Sequence, residues 1–403
     1  MDRCPRGNHP LTARPTTGGP GAAWAAWCAQ LAELGASLTD ERFPQDDFGR
    51  AEGFRHLARQ AVLALQGELE HADPLHPSFH RYEEPWAQWG GPNPDNVYLR
   101  AAIDPTATYR LWADVAGLRQ AIFSLVDGDM HLERFGVFGE RTLDELTVQH
   151  DGLLEVWISP TEHAGNWIPS APAARYVLVR QFQPDWERDP IAHFGIERSD
   201  TRGLVPEPPT PETVAAAFTR ATGWVTASLD YWASYVDGSR RGLPHNAFVP
   251  PSTPPGGAPN IAYGAGWWSL SSDDALVITT DVPDADYWGW TIHTRYWLDS
   301  GEFADRQTSL NLTQTHIDGD GRLRIVVAGR DPGAPNWIDV DGRPEGLLVY
   351  RSVGTRTRPV PTAEVVPVVE VRRVLPTDHP VVGPDARRDM LARRRGAARL
   401  RYA

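Results

Sequence analysis

Lysine is missing: all 39 basic side chains are arginine. Schiff-base catalysis, pyridoxal-phosphate attachment and a P-loop each need a lysine amine, so all three are excluded. Cysteine is nearly missing too. Cys4 and Cys28 make neither a disulfide framework nor a metal knuckle, and a reducing cytoplasm is the expected compartment. No apolar run approaches the ~20 residues of a membrane span, and the opening MDRCPRGNHPLTARPTTGG lacks a signal-peptide core. There is no basic excess either. A net charge of -13 turns nucleic acid away as a main partner, because phosphate binding needs a positive surface. The chain contains no G-x-S-x-G elbow, no H-E-x-x-H and no G-x-G-x-x-G after a strand. No cofactor is therefore expected. HPSFH (His76, His80) has a zinc-helix spacing but carries Pro77 and lacks a glutamate, so no metal site is assigned.

What the chain does contain is a repeat. GNWIPSAPAARYVLVR starts at Gly165 and PNWIDVDGRPEGLLVYR at Pro335, with Asn166 and Asn336 170 positions apart. HDGLLEVWIS parallels GDGRLRIVVA at an offset of 169, and Asp114-Val115 parallels Asp281-Val282 at 167. Phe123-Ser124-Leu125 matches Trp290-Thr291-Ile292, Asn93 matches Asn260, and Arg180 matches Arg351 at 171. A slow drift from 167 to 171 is what small loop insertions produce.

Helices precede each copy. Thr210-Pro211 reads as an N-cap with proline at the first helical position. Val214, Phe218, Ala221, Val225, Leu229 and Trp232 then form an apolar stripe that Gly238 is expected to close. Phe54, Leu57, Ala61, Leu65 and Leu69 form the stripe of the first copy. YRLWADV, LLEVWIS, ALVITTDV and LRIVVAG alternate as half-buried strands, and Asp-Gly pairs at 151, 320 and 341 suit hairpins. The expected fold is mainly β with helices (α+β): two tandem helix-plus-β-sandwich or jelly-roll units related by internal duplication. The expected division is an N-terminal arm and helix (1–44), a first unit (45–200), a linker (201–210), a second unit (211–375) and a basic tail (376–403).

WGGPNPDNVYLRAAI, VRQFQPDWERDP, GWWSLSSDDALVITT and, above all, RQTSLN followed by DGDGRLRIVVAGRDPGAPNWIDVDG resemble a bacterial family defined by a domain of unknown function, number 1214. That domain often accompanies another, numbered 1254. The likeness to actinobacterial members extends over roughly 80–355, with the second unit as the better match. The resemblance implies a β-sandwich or jelly roll with appended helices. It implies no established activity, so no catalytic residue carries over.

Sixteen tryptophans offer either core filling or flat platforms for sugars and aromatic faces. The turn AGRDPGAPNWIDVDG gathers Arg330, Asp331, Asn336, Trp337, Asp339 and Asp341, whereas its first-unit counterpart has no partner for Asp339. The shared Asn-Trp reads as architecture, an Asx-stabilised hairpin, with function in what differs. Asp331 and Asp339 are then the catalytic acid/base candidates. Arg306, Gln307, Asn311, Asn336, Trp337, Trp267 and His293 are the ligand-binding candidates. Positions 307, 309, 311 and 313 share a wholly polar strand face, which is either solvent or the wall of a wet cleft. The leading expectation is a cleft of the second unit that binds a small carbohydrate-like or aromatic metabolite, with hydrolysis or isomerisation as its chemistry. The rivals are a non-catalytic assembly module presenting aromatic surfaces and a metal-dependent cupin-like enzyme. The tail, with seven arginines in 18 residues, reads first as a solvated terminal helix or fray, and otherwise as docking on a neighbouring subunit, as in a homo-oligomer, or on its own acidic body.

Overall fold

A computed structural model describes residues 19–253 and 260–402. Cys4 and the arm before Gly19 lie outside these residues. Two helices, α1 (Pro20–Ser37) and α2 (Asp47–Leu65), come first; the Asp46 side chain accepts the Gly49 N–H and caps α2. One π-helical turn, Gln66–Glu70, extends α2. The face that α2 buries is rotated from the expected stripe. Phe54 and Leu69 are exposed, and polar His56 and Gln60 are inside with Leu57, Leu63 and Ala64. Gln60 can be buried because its amide donates to Gln88 O (2.9 Å) and accepts from Ser228 (3.2 Å).

The first unit contains β1 (His80–Glu83), β2 (Asn96–Ala102), β3 (Tyr109–Asp114), β4 (Gln120–Val126), β5 (Val137–Thr142), β6 (Leu153–Ser159), β7 (Trp167–Pro169), β8 (Tyr176–Phe182) and β9 (Gly195–Arg198). They form a sheet of order β1-β2-β8-β4-β5 facing another of order β7-β6-β3-β9. Between the sheets lie Val97, Leu99, Phe123, Leu125, Val177 and Val179 from one side, and Tyr109, Leu111, Leu154, Val156 and Ile158 from the other. The long α3 (Pro211–Gly242) follows, with a Thr210–Thr213 capping box. Gly238 does not end it; the helix runs a further turn to Gly242.

The second unit contains β10 (Ile261–Ser269), β11 (Asp274–Asp281), β12 (Tyr287–Thr294), β13 (Ser309–Asn311), β14 (Arg322–Ala328), β15 (Trp337–Asp339), β16 (Glu345–Val353) and β17 (Thr362–Pro367), followed by α4 (Val371–Val374) and α5 (Pro384–Arg401). Its sheets run β10-β16-β12-β13 and β15-β14-β11-β17. Strand for strand this is the first unit's order, β2-β8-β4-β5 and β7-β6-β3-β9. Even the exception repeats: each unit has one parallel pair, β6 with β7 and β14 with β15.

The Asn-Trp turn makes that parallel pair. Asn336 Nδ2 donates to His316 O and Arg324 O, both at 2.7 Å, while Oδ1 accepts from His316 N (2.7 Å). Asn166 makes the same three bonds to Thr147 and Glu155, each at 2.8 Å. The indoles repeat as well: Trp167 Nε1 donates to Ser159 O and Trp337 Nε1 to Ala328 O.

The units and helices form one packed body. Ile122 and Phe182 of the first unit meet Ile261, Tyr287 and Val353 of the second. Trp224, Val225, Leu229 and Trp232 of α3 sit in one core with Tyr82, Trp89 and Leu178 from the first unit and Trp267, Trp297 and Leu347 from the second.

Candidate functional site

The residues singled out around the second Asn-Trp turn are engaged by contacts within the protein. Asp339 is buried and held in two hydrogen bonds by Arg306 (3.0 and 3.1 Å), which also reaches Asp341 (3.0 Å). Asp331 lies at the surface, accepts the Gly333 N–H and pairs with Arg387 of α5 (2.9 Å). Gln307 donates to Pro335 O (3.0 Å) and accepts from Arg387 (3.2 Å). Asn311 donates to Asp95 (2.7 Å) and to Pro184 O (2.9 Å). Asn336 is the turn staple. Trp337 is buried with the Arg387 guanidinium 5.0 Å from its ring centre. Trp267 is fully buried beneath the helices, and His293 is buried between Ser300 and Arg351.

The polar face around 307, 309 and 311 is therefore neither open solvent nor a wet cleft. The protein's own tail fills it: Arg387 takes Gln307, Arg394 takes Ser309 Oγ (2.7 Å), and the first unit takes Asn311. Arg306 and Asp339 come together as an ion pair, while Asp331 is turned to the tail and His293 to the seam between the units.

The aromatic cavity lies in the first unit. It is a narrow, partly open crevice between the outer face of the β2–β8 sheet and helices α2 and α3. Tyr82 and His80 come from β1, Arg100 from β2, Tyr176 from β8 and Trp224 from α3. Trp89 comes from the connection, and Gly67 and Glu68 from the π turn; such turns are frequent at functional sites.

Arg100 organises it. The strand NVYLRAA is buried along its whole length, so an arginine at its centre must be paired. Its Nη1 contacts both Asp129 oxygens at 2.9 Å, and its guanidinium lies 3.5 Å from the Tyr176 ring centre. Asp129 also accepts the Trp224 indole N–H (2.9 Å). Burial alone would raise the Asp129 carboxyl, but Arg100, His131 and these hydrogen bonds hold it below its ordinary range. Burial pushes the His80 imidazole down to about 3, so it is neutral, and its Nδ1 has no partner among the described residues. His131, pushed down by burial to about 4, is ringed edge-on by Trp89 (5.1 Å) and Trp224 (4.7 Å). The matching positions of the second unit, Ala265 for Arg100 and Leu347 for Tyr176, are apolar and packed into the helical core. The aromatic crevice with its Arg100–Asp129 pair thus belongs to the first unit.

Sequence reading missed Arg100, Asp129, Tyr176 and Trp224. The legible signal was the lone charge inside VYLRAAI; its partners are 29 and 76 or more positions away and carry no spacing rule.

A second crevice lies where α2 meets the loop after β12. Within it Arg55 pairs with Glu302 and Arg343 with Glu52, and His56 lies 3.4 Å from Asp299. Among the described residues no group of three or more His, Cys, Asp or Glu side chains is placed to hold a metal ion, and no helix is long and apolar enough to cross a membrane.

These features define a duplicated β-sandwich protein with a helical cap. The family described as "Protein of unknown function (DUF1214)" matches residues 123–186, within the first unit. An uncharacterised protein from Burkholderia cenocepacia, known from its crystal structure, is 31% identical, with 87% of this chain and 98% of that one covered at a TM-score of 0.80. A Vibrio parahaemolyticus protein of solved structure aligns over 77% of this chain and 96% of its own at 12% identity and a TM-score of 0.44. No curated protein matches. The chain belongs to the family of unknown function numbered 1214.

Proposed function

We propose that the protein binds a small, uncharged, ring-bearing ligand, carbohydrate-like or aromatic, in the first-unit pocket. One observation carries this reading: Tyr82, Trp89, Tyr176 and Trp224 surround a guanidinium whose charge Asp129 already balances, beside a neutral His80 with a free ring nitrogen. Aromatic faces stack on flat rings, and a few fixed polar groups set orientation. The pocket's one carboxylate, Glu68, is engaged by Arg220 (2.8 Å), which favours binding over hydrolysis or isomerisation. The assembly reading has less support, because eleven of the sixteen tryptophans are buried and do not form an open aromatic face.

Titrating mono- and disaccharides, phenols and indoles against tryptophan emission and melting temperature tests the proposal. A saturable emission change with a rise in melting temperature is expected for one of these classes. No response to any of them would end the reading.

A further inference from the structure

Eleven of the sixteen tryptophans are buried; of the other five, Trp112, Trp157 and Trp167 share one surface. It is the outer face of the β7-β6-β3-β9 sheet in the first unit. Leu111, Val156 and Ile168 point into the sandwich core, so their strand neighbours Trp112, Trp157 and Trp167 point out. In register, Trp167 lies beside Trp157, Trp157 beside Arg110 and Arg110 beside Glu197. Trp112 lies opposite Glu155 in the next row. All of these side chains are partly exposed. The aromatic crevice lies on the other sheet of this sandwich, so the two surfaces share no residue.

The second unit shows what covering this face takes. There Val277 and Val326 stand where the first unit has Arg110 and Trp157, and Trp337 stands for Trp167. Those three are buried with Val371 of α4 and Leu375, and the Arg387 guanidinium lies against Trp337. Among the described residues no segment buries the first unit's counterpart, and its residues are those of a surface that stays wet.

The indoles are held in place with ring faces toward solvent. Trp112 passes directly over Gly195, where an added Cβ would lie 2.4 Å from the ring, so glycine lets the indole rest against the sheet. Trp157 Nε1 donates to Glu155 (3.2 Å), and the His163 imidazole lies parallel to its ring at 4.0 Å, the spacing of a stacked planar group. Arg110 donates to Glu155 (2.7 Å) and Glu197 (3.4 Å), with its guanidinium 5.1 Å from the Trp112 ring centre. Apolar planes thus alternate with paired charges whose carboxylates keep lone pairs for further donors. A pyranose ring is divided in the same way, with C–H groups on its faces and hydroxyls on its rim. Charge selects among glycans. Asp114, Glu155 and Glu197 outnumber Arg110 and Arg202 on and beside this face, in a chain of net charge -13, so acidic glycans are repelled.

We infer that this outer face is a binding surface for a neutral glycan chain, whose successive sugars stack on Trp112 and on the Trp157–Trp167 pair. A protein segment would have to dehydrate the Arg110 ion pairs at the centre of the face, where the covered face of the second unit offers valines. The inference does not depend on the ligand proposed for the crevice.

Calorimetric titration of the full chain with neutral cello-, malto-, xylo- and N-acetylchito-oligosaccharides tests it. Saturable binding of at least one series is expected, tightening from disaccharide to hexasaccharide because a longer chain reaches more indoles. Trp112→Ala and Trp157→Ala should each weaken hexasaccharide binding roughly tenfold or more. Trp112→Tyr should restore most of it, which separates a lost platform from a damaged fold, and Trp24→Ala on α1 should leave it unchanged. Absence of binding by every series overturns the inference. So does equal affinity for disaccharide and hexasaccharide, or hexasaccharide binding that both alanine variants retain. Self-association of the chain that Trp112→Ala abolishes, without glycan binding, would assign the face to a protein contact and overturn it equally.

Discussion

Asn336 and Asn166 make the same three hydrogen bonds in the two units, but Asn336 is fully buried and Asn166 only half so. Removing a buried amide strands its partners without water, at a cost of about 1–3 kcal/mol. Urea unfolding of Asn336→Ala should therefore show a loss of about 2 kcal/mol, and Asn166→Ala a smaller one. Equal losses would mean that water reaches both turns. His80 gives a pH signature. Folded, it stays neutral down to about 3, whereas unfolded it takes up a proton near 6.5. The unfolded chain thus binds more protons across that window, so this contribution is full above 6.5 and is lost as pH falls toward 3. Melting curves of His80→Gln should show a shallower acid limb than those of the native chain. At this scale the turn asparagines were legible in the sequence, because a motif repeated at a fixed offset exposes shared architecture. The pocket was not, because Arg100, Asp129 and Trp224 meet only through long-range folding.

The strands and α3 follow directly from alternation and from the Thr210 cap, and their boundaries fall within a few residues of the pattern. The tail helix α5 shows where pattern reading ended. Its arginines read as a solvated or docking basic helix, and three of them, Arg387, Arg394 and Arg401, are wedged into the body, while exposed Arg395 reaches an ion pair at the surface. Arg387 spans Asp331, Gln307 and Ala334 O (2.5 Å), Arg394 reaches Phe303 O (2.5 Å), Arg395 pairs with Asp305, and Arg401 donates to Pro94 O (3.1 Å). Arg394 and Arg401 both stack on Trp186, at 4.2 and 4.8 Å from its ring. No local signal specifies which carbonyls a terminal helix will reach. Arg387→Ala should destabilise the protein by about 2 kcal/mol and expose the tail to limited proteolysis, because it leaves a buried acceptor set and Asp331 without their cation. A protease-resistant tail in this variant would show that Arg394 and Arg401 hold it alone.

Across the whole molecule, Asp95 ties the units together. Its carboxylate accepts from Trp186 of the first unit (2.7 Å) and from Asn311 (2.7 Å) and Tyr287 (2.5 Å) of the second. With α3 packed into both units, the body should unfold in one transition, with circular dichroism and tryptophan emission coincident. Two separated transitions would show that each sandwich stands alone. The duplicated plan was readable from the offsets, but which copy kept an aromatic crevice depended on single substitutions such as Ala265 and Leu347. Those acquire meaning only once the strands are in register. The most direct check on a first-unit pocket is a ligand titration followed by tryptophan emission in Trp89→Phe and Trp337→Phe. Loss of the ligand-induced change in Trp89→Phe and its survival in Trp337→Phe is expected; the reverse would return the site to the second unit.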